Sequence, residues 1–351
     1  MMGKAFMRQD THTAAGARKN SDLSDAPSRV LRAARPGERG IALILVMFVI
    51  ATLSILVLEF IHSTRINLYI AGNIADGAKA FYLARSGITV AAGAMLQDAQ
   101  DKNKEDHLWE AWANPLPALP AGEGWVTVEI VDEDSKFNLN KLVRKSGLPD
   151  SVRRDVFEKL LTSLELDPEL AKPVIDWIDK DTESQNGGDE DSIYGYSAQV
   201  DPYPSRNGPF LSLNELTLVN GMTDEIYKKL MPYVTVYGDE KLNLNTVNEK
   251  VLTAYVQSLS GEQDASPTVQ KIISWRGIEG NYFAEKTVKQ QLVNEAQIDS
   301  ELAGKLTKLF GVSSSFFSVT ATAQVADSTK KCLGVIFRSK AKVRIVYFRL
   351  V

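Results

Sequence analysis

The sequence predicts an α+β protein with a long N-terminal transmembrane helix, a small antiparallel sheet and a large all-helical insertion domain. An uncharged apolar run near the N-terminus predicts the first feature. Segments of alternating apolar and polar residues on both sides of a long stretch with helical spacing predict the other two. One strand, a helical block and then three strands indicate that the helices interrupt a mixed body.

The apolar run extends from Ile41 to Leu58, carries no charge and is followed by Glu59. At ~1.5 Å per residue, a helix of this length covers most of a ~30 Å hydrocarbon core. Its polar side chains, Thr52 and Ser54, can donate hydrogen bonds to the helix backbone. Because a helix satisfies every peptide group inside lipid, we expect a membrane helix here.

A cleaved secretory signal is the alternative, since it also pairs a basic flank with an apolar run. Signal cores are ~7–15 residues long and lead into a cleavage site of small residues. Residues 59–65 contain no Ala-x-Ala pattern. An uncleaved anchor is therefore favoured.

Residues 1–40 set the expected orientation of this anchor. They contain eight basic and four acidic residues, an excess of four positive charges. The positive-inside rule places this side in the cytoplasm and the bulk of the chain across the membrane. Low aromatic content favours a disordered leader.

Charge and composition argue against several classes of function. The chain has a net charge of −4, so removal of the +4 leader would leave −8, which disfavours nucleic acid as a partner. The single Cys332 excludes an intrachain disulfide, and the three histidines, His12, His62 and His107, are scattered. No phosphate-binding loop, nucleophile elbow or zinc-protease motif is present, so we do not expect an enzyme.

Four segments follow from the periodicity of the chain. Apolar residues at helical spacing continue the anchor, which predicts one helix over 41–97. Alternating β-branched residues predict strands over 125–132, 316–322, 332–337 and 342–350. The expected organisation is a leader (1–40), the spine helix (41–97), an α/β body (98–136 and 311–351) and a helical insertion (137–310).

Two similar motifs occur within the insertion. Phe137–Leu142 and Leu242–Val247 share the pattern Asn-Leu-Asn, and we expect Asn140 and Asn245 to cap helices that follow. Residues 211–224 have the pattern of a helix-hairpin-helix, a module that often binds DNA. Their flank is acidic rather than basic, so a packing role is favoured.

An acidic loop is the one candidate for chemistry. Residues 176–191 concentrate carboxylates around Gly187 and Gly188. Oxygen ligands on such a loop suit Ca²⁺, which takes ~6–8 of them, although Ser184 stands where an EF-hand needs glycine. A solvated acidic loop explains the same residues equally well.

The junction Arg39-Gly40 before Ile41 resembles the prepilin peptidase site of type IV pilin-like proteins. The resemblance implies cleavage after Gly40 and N-methylation of Ile41. Most pilins carry Glu at the fifth mature position, where this chain has Leu45.

Taken with Leu45, several motifs resemble the minor pseudopilin K of type II secretion (the GspK family). They are Phe81–Gly87, Asp176–Asp179, Gly188–Asp191, Leu213–Leu216, Pro232–Val236 and Leu242–Thr246. The likeness covers residues 41 to 351.

This resemblance implies a pilin-like fold in the bacterial inner membrane, with the bulk of the chain periplasmic. It implies a place at the tip of the pseudopilus, where the subunit initiates or caps assembly and aids export of folded proteins. The implied partners are the I-type and J-type minor pseudopilins, the prepilin peptidase, the inner-membrane secretion assembly and lipid. It also implies calcium in the insertion, with the ligands Asp179, Asp181, Glu190 and Asp191.

Two alternatives stay open on the sequence. A minor subunit of a type IV pilus would share the N-terminal features. A membrane-tethered helix-hairpin-helix protein that receives DNA is the other, and the negative mature charge counts against it.

Overall fold

The computed structural model describes residues 36–100, 104–114, 117–185, 187, 203–340 and 342–351. The chain divides into two units, Met1–Asn67 and Leu68–Val351. Residues 1–35 of the expected leader lie outside the described residues.

The first unit contains the start of helix α1 (Pro36–Asp98). Side chains from Ile41 to Leu58 are exposed along it. The Thr52 hydroxyl donates to the Phe48 carbonyl oxygen (2.9 Å), and the Ser54 hydroxyl donates to that of Ile50 (2.8 Å). The helix is long and apolar enough to cross a membrane.

The second unit contains the remaining part of α1 and the strands. The strands are β1 (Leu119–Ala121), β2 (Gly124–Asp132), β3 (Phe137–Asn138), β4 (Val234–Thr235), β5 (Leu242–Asn243), β6 (Phe310–Gly311), β7 (Phe316–Val325), β8 (Ser328–Ser339) and β9 (Lys342–Leu350). Five of them form an antiparallel sheet in the order β1-β2-β7-β8-β9. The sheet is the small antiparallel sheet that the sequence predicts.

The last turns of α1 pack on one face of this sheet. Ala84, Ile88 and Met95 of the helix are fully buried against alternate residues of β2 and β7. Gly87 permits the close approach, because a Cβ atom there would lie 3.0 Å from the Val126 Cγ2 atom and 3.1 Å from the Ala321 Cβ atom.

The chain between β2 and β7 forms the helical insertion. Its helices are α2 (Ser151–Ser163), α3 (Ala171–Ile178), α4 (Asp224–Leu230), α5 (Glu249–Ser260), α6 (Ser266–Arg276), α7 (Val288–Asn294) and α8 (Ser300–Leu309), with 3₁₀ segments at Leu139–Lys141, Pro168–Leu170 and Leu213–Leu218. One buried apolar core joins them.

The insertion contains two halves with a common plan. Each begins with a short strand that ends at the first asparagine of Asn-Leu-Asn, passes through helices and ends in a strand parallel to the first. In the first half β3 pairs with β4, and in the second half β5 pairs with β6. The Asn-Leu-Asn motifs therefore mark a structural duplication.

The α+β fold class is confirmed, whereas one local prediction is wrong. Asn140 and Asn245 do not cap helices. The first asparagine of each motif instead accepts from the backbone N–H two residues on. The Asn138 Oδ1 atom lies 3.0 Å from the Asn140 N atom and caps the 3₁₀ segment at Leu139–Lys141. The Asn243 Oδ1 atom lies 3.0 Å from the Asn245 N atom in the turn after β5. The side chain of the second asparagine forms hydrogen bonds with distant backbone groups of the same half.

Candidate functional site

In the first half of the insertion, Asn140 holds the backbone of a distant residue. Its Nδ2 group donates to the carbonyl oxygens of Phe210 (2.9 Å) and Val236 (3.0 Å). Its Oδ1 atom accepts from the Phe210 N–H (2.7 Å). One side chain thus holds the backbone that precedes the 3₁₀ segment at Leu213–Leu218 and the residue that follows β4.

In the second half, Asn245 makes the equivalent contacts. Its Nδ2 group donates to the Phe283 carbonyl oxygen (3.0 Å), and its Oδ1 atom accepts from the Phe283 N–H (2.7 Å). In each half, a second side chain accepts a hydrogen bond from the residue that follows this phenylalanine. Glu215 accepts from the Leu211 N–H (3.1 Å), and Gln291 accepts from the Ala284 N–H (2.8 Å).

Buried carboxylates connect the insertion to the sheet. Asp132, at the end of β2, accepts from the Asn243 Nδ2 group (3.2 Å) and the Ser314 hydroxyl (2.6 Å). Asp134 accepts from the N–H groups of Asp239 (2.7 Å) and Ser315 (2.8 Å). Burial raises the pKa of both carboxyl groups, since it disfavours their charged forms.

A second acidic cluster surrounds Arg338 of β8. Among the described residues, the acids close enough together to share a cation are Asp98, Asp106 and Glu110. The Arg338 guanidinium already forms ion pairs with Asp98 and Asp106. The positive charge of Arg338 thus already pairs with two of these three acids, which argues against a metal ion at this cluster. Burial raises the pKa of Glu110 to about 7.

The acidic loop follows the C-terminal end of α3. Asp176 accepts from the Ser184 hydroxyl (2.8 Å) and the Gln185 N–H (3.0 Å). Asp179 is fully buried, and the exposed Asp181 accepts from the Glu183 N–H (3.0 Å). The other two expected ligands, Glu190 and Asp191, lie outside the described residues.

These three aspartates occupy an electrostatically unfavourable place. The C-terminal end of a helix carries a partial negative charge, so carboxylates beside it repel the helix dipole as well as one another. Burial of Asp176 raises the pKa of its carboxyl group. Carboxylate and hydroxyl oxygens are the donor set of a hard cation. Among the described residues, however, the carboxylate oxygens of Asp176, Asp179 and Asp181 do not lie close enough together to share one.

The N-terminal site occupies one exposed segment of α1. Gly40 is exposed, with no atom within 4 Å of the place where a Cβ atom would stand. The Leu45 side chain is 63% exposed and lies among other exposed apolar side chains. The structure therefore presents the expected processing junction and the substituted fifth position on one accessible helix.

Several residues of these sites could not be found from the sequence motifs. Asp132 had a readable signal, because it continues the core-facing alternation of Val126, Val128 and Ile130. An acid in that register must be buried. No sequence signal identifies Phe210 and Phe283 as the partners of Asn140 and Asn245, since intervening helices separate each pair along the chain.

The fold and these sites define a class of protein. A long N-terminal helix that is apolar at its start and packs at its end on an antiparallel sheet is the pilin-like architecture. Here a duplicated helical insertion interrupts that sheet between β2 and β7. The chain is thus a pilin-like protein with an enlarged body.

Comparison with known proteins narrows this class. The model of a family described as "Type II secretion system (T2SS), protein K" matches residues 135–239. Type II secretion system protein K of Pseudomonas aeruginosa is 28% identical over 89% of this chain and 92% of its own length, and that of Aeromonas hydrophila is 27% identical over 89% and 96%. The chain is thus similar to type II secretion system protein K over most of its length.

A solved structure agrees at the level of the fold. A chain of the crystal structure of the GspK-GspI-GspJ complex from enterotoxigenic Escherichia coli matches with a TM-score of 0.63 and 20% identity. The match covers 78% of this chain and 96% of the other. The match supports the pilin-like fold of this chain, and the curated relatives are described as type II secretion system protein K.

Proposed function

We propose that this protein is the tip subunit of the type II secretion pseudopilus, which initiates or caps assembly and aids export of folded proteins. The observation that carries the proposal is Leu45, in a segment without charge from Ile41 to Leu58. In pilin-like filaments, the Glu at this position meets the charged N-terminus of a neighbouring subunit. A subunit without it cannot form that contact, and the tip is a place where one such contact is not needed.

The insertion supports the same position. Two helical halves interrupt the sheet between β2 and β7 and add far more volume than a pilin body needs. A bulky insertion is hard to accommodate between subunits of a packed shaft, whereas nothing is stacked beyond a tip.

We propose that the partners of this chain are I-type and J-type minor pseudopilins. The support is the enterotoxigenic E. coli relative of similar fold, which was crystallised as a complex of GspK with GspI and GspJ. Co-purification of the full chain with both partners from detergent-solubilised inner membranes tests this proposal. Recovery of the chain with major pilins of a type IV pilus, and without the two partners, would contradict it.

Maturation is proposed to occur at the junction of Gly40 and Ile41. The prepilin peptidase would cut there, with the N-terminus cytoplasmic and the body periplasmic, and leave Ile41 as an N-methylated terminus. N-terminal sequencing of the membrane-extracted protein should begin at Ile41. A sequence that begins within residues 1–35 would contradict this processing.

We also propose that the acidic loop holds Ca²⁺, with Asp179, Asp181, Glu190 and Asp191 as ligands. The support is the burial of Asp179 together with the carboxylates of Asp176 and Asp181 at the end of α3. A bound cation would neutralise this negative charge. It would stabilise the folded state by ~2.7 kcal/mol when the ion is at one hundred times its Kd.

Removal of the ion tests the calcium proposal. The full chain in detergent should melt at a lower temperature in a chelator than in millimolar Ca²⁺. The double variant Asp181→Ala/Asp191→Ala should lose most of that difference, whereas Asp327→Ala, in the exposed turn between β7 and β8, should keep it. Equal melting temperatures of the unmutated chain in both conditions would contradict the calcium proposal and indicate a solvated acidic turn.

A further inference from the structure

Strand β9 forms one edge of the sheet, and within the described residues no strand pairs with its outer side. The Val351 N–H donates to the Lys331 carbonyl oxygen (2.8 Å). The alternation of an antiparallel ladder then directs the N–H and C=O groups of Phe348 and Leu350 away from β8. Long edges of this kind are usually covered, because they pair readily with other chains.

One face of β9 is apolar. Val343 packs against the core beneath α1, and the Phe348 ring lies 6.4 Å from the ring of Phe81. Much of this face is nevertheless exposed to solvent: the side chains of Ile345, Phe348 and Leu350 are 44%, 39% and 51% exposed. The edge therefore has apolar surface beside its unpaired backbone groups.

The opposite face of β9 is basic. Arg344 and Arg349 pair with Phe337 and Leu333, which lie four residues apart on β8 and hence on one face. Lys342 shares this face with Arg344 by the alternation of the strand. The strand contains no acidic residue, although the whole chain has a net charge of −4.

These three positive charges have no carboxylate partner among the described residues, where the ion pairs involve other cations. Arg344 lies over the Phe337 ring, 5.6 Å from its centroid. The Nε atom of Arg349 is buried and makes no hydrogen bond within the described part of the chain. Carboxylates on an added strand would supply the partners that these groups lack.

We propose that β9 binds an extended segment of another protein as an additional strand, and that this segment alternates apolar and acidic side chains. Its backbone would pair with the outward groups of Phe348 and Leu350. Its apolar side chains would cover the exposed face, and its carboxylates would pair with the basic face. A second copy of β9 fits poorly, because antiparallel pairing would set basic side chains opposite basic side chains.

Binding of synthetic peptides to the full chain in detergent tests this proposal. The probe is an end-blocked, fluorescently labelled ten-residue peptide that alternates Val and Glu. One control replaces each Glu with Lys, and another carries N-methyl groups on alternate backbone nitrogens. Fluorescence anisotropy should show the acidic peptide binding at least roughly tenfold more tightly than either control. It should also slow amide hydrogen exchange at Phe348 and Leu350 at least roughly tenfold.

Two variants at Leu350 separate strand addition from simple surface contact. Leu350→Pro removes an outward N–H and leaves the ladder to β8 intact, so binding should fall at least roughly tenfold. Leu350→Thr keeps that N–H and should bind within roughly threefold of the unmutated chain. The double variant Arg344→Glu/Arg349→Glu should reverse the preference, so that the Lys peptide binds more tightly than the Glu peptide.

Three results would overturn the proposal. They are equal affinities for the Glu and Lys peptides, unchanged binding by Leu350→Pro, and unprotected amides at Phe348 and Leu350. If no peptide binds, or if the chain instead dimerises through β9, the proposal is also wrong, and the basic residues serve another purpose, such as guarding the edge against aggregation.

Discussion

At the scale of single residues, Glu110 makes the stability of the protein depend on pH. It accepts from the Trp112 Nε1 group (2.7 Å), and burial raises its pKa from 4.5 to about 7. Because the pKa is raised in the folded state, its contribution to stability is complete below about pH 4.5 and is lost as the pH rises through about 7.

Glu110→Gln should remove this dependence while keeping an oxygen acceptor for Trp112. Between pH 4.5 and 7 the urea midpoint of the unmutated chain should fall relative to that of the variant. Glu262→Gln, at an exposed position, serves as the control and should parallel the unmutated chain. A constant difference between Glu110→Gln and the unmutated chain across this pH range would contradict the assignment.

The asparagine clamps are a second feature at the residue scale. Asn245→Ala would leave the buried N–H and C=O groups of Phe283 without their side-chain partners. Each such group costs ~1–3 kcal/mol, so the loss of partners for both should lower the free energy of unfolding by ~2–6 kcal/mol. Urea unfolding followed by tryptophan fluorescence measures this change.

Asn248→Ala is the matched control for the clamp. It removes only the side chain that accepts from the Lys250 N–H at the start of α5 (3.0 Å), and should cost ~1 kcal/mol. If Asn245→Ala costs no more than Asn248→Ala, the clamp contributes nothing beyond an ordinary helix cap.

At the scale of elements, the contact between α1 and the sheet depends on the absence of a side chain at Gly87. Gly87→Leu would force the helix away from Val126 and Ala321 and should cost ~1–3 kcal/mol. Gly93→Leu lies on the same helix with no atom within 4 Å, and should stabilise by up to ~1 kcal/mol. Thermal melting of both variants measures the contrast, and equal shifts of the same sign would contradict it.

Periodicity explains which elements could be predicted from the sequence. The helix α1 and the strands β2, β7, β8 and β9 each repeat their pattern several times, and the predicted segments 41–97, 125–132, 316–322, 332–337 and 342–350 overlap them. The strands β3 to β6 contain two residues each, which is too short for any alternation. Their pairing is parallel and spans whole helices, so only the tertiary structure reveals it.

The candidate sites likewise divide into those that are local in the sequence and those that only the tertiary structure brings together. Gly40, Ile41 and Leu45 form a local pattern, which a sequence displays directly. The carboxylate of Asp132 gains its role from Asn243 and Ser314, which are distant in the chain and are brought together by the insertion.

At the scale of the whole molecule, the fold agrees with a pilin-like body whose sheet carries a duplicated helical insertion. The second unit, Leu68–Val351, contains the sheet, the insertion and the edge strand β9. Buried hydrogen bonds of Asp132 and Asp134 join the insertion to the sheet, so the insertion and the sheet should act as one body. A single rigid body of this size is consistent with the proposed end position in a filament.

The position of the chain in assembled pseudopili tests this account most directly. A gold label attached to the exposed turn at Asp327, viewed by electron microscopy of pseudopili assembled in the presence of the full chain, reports that position. We predict label at one end of each filament and none along the shaft. Label at regular intervals along the shaft would contradict the assignment as a tip subunit.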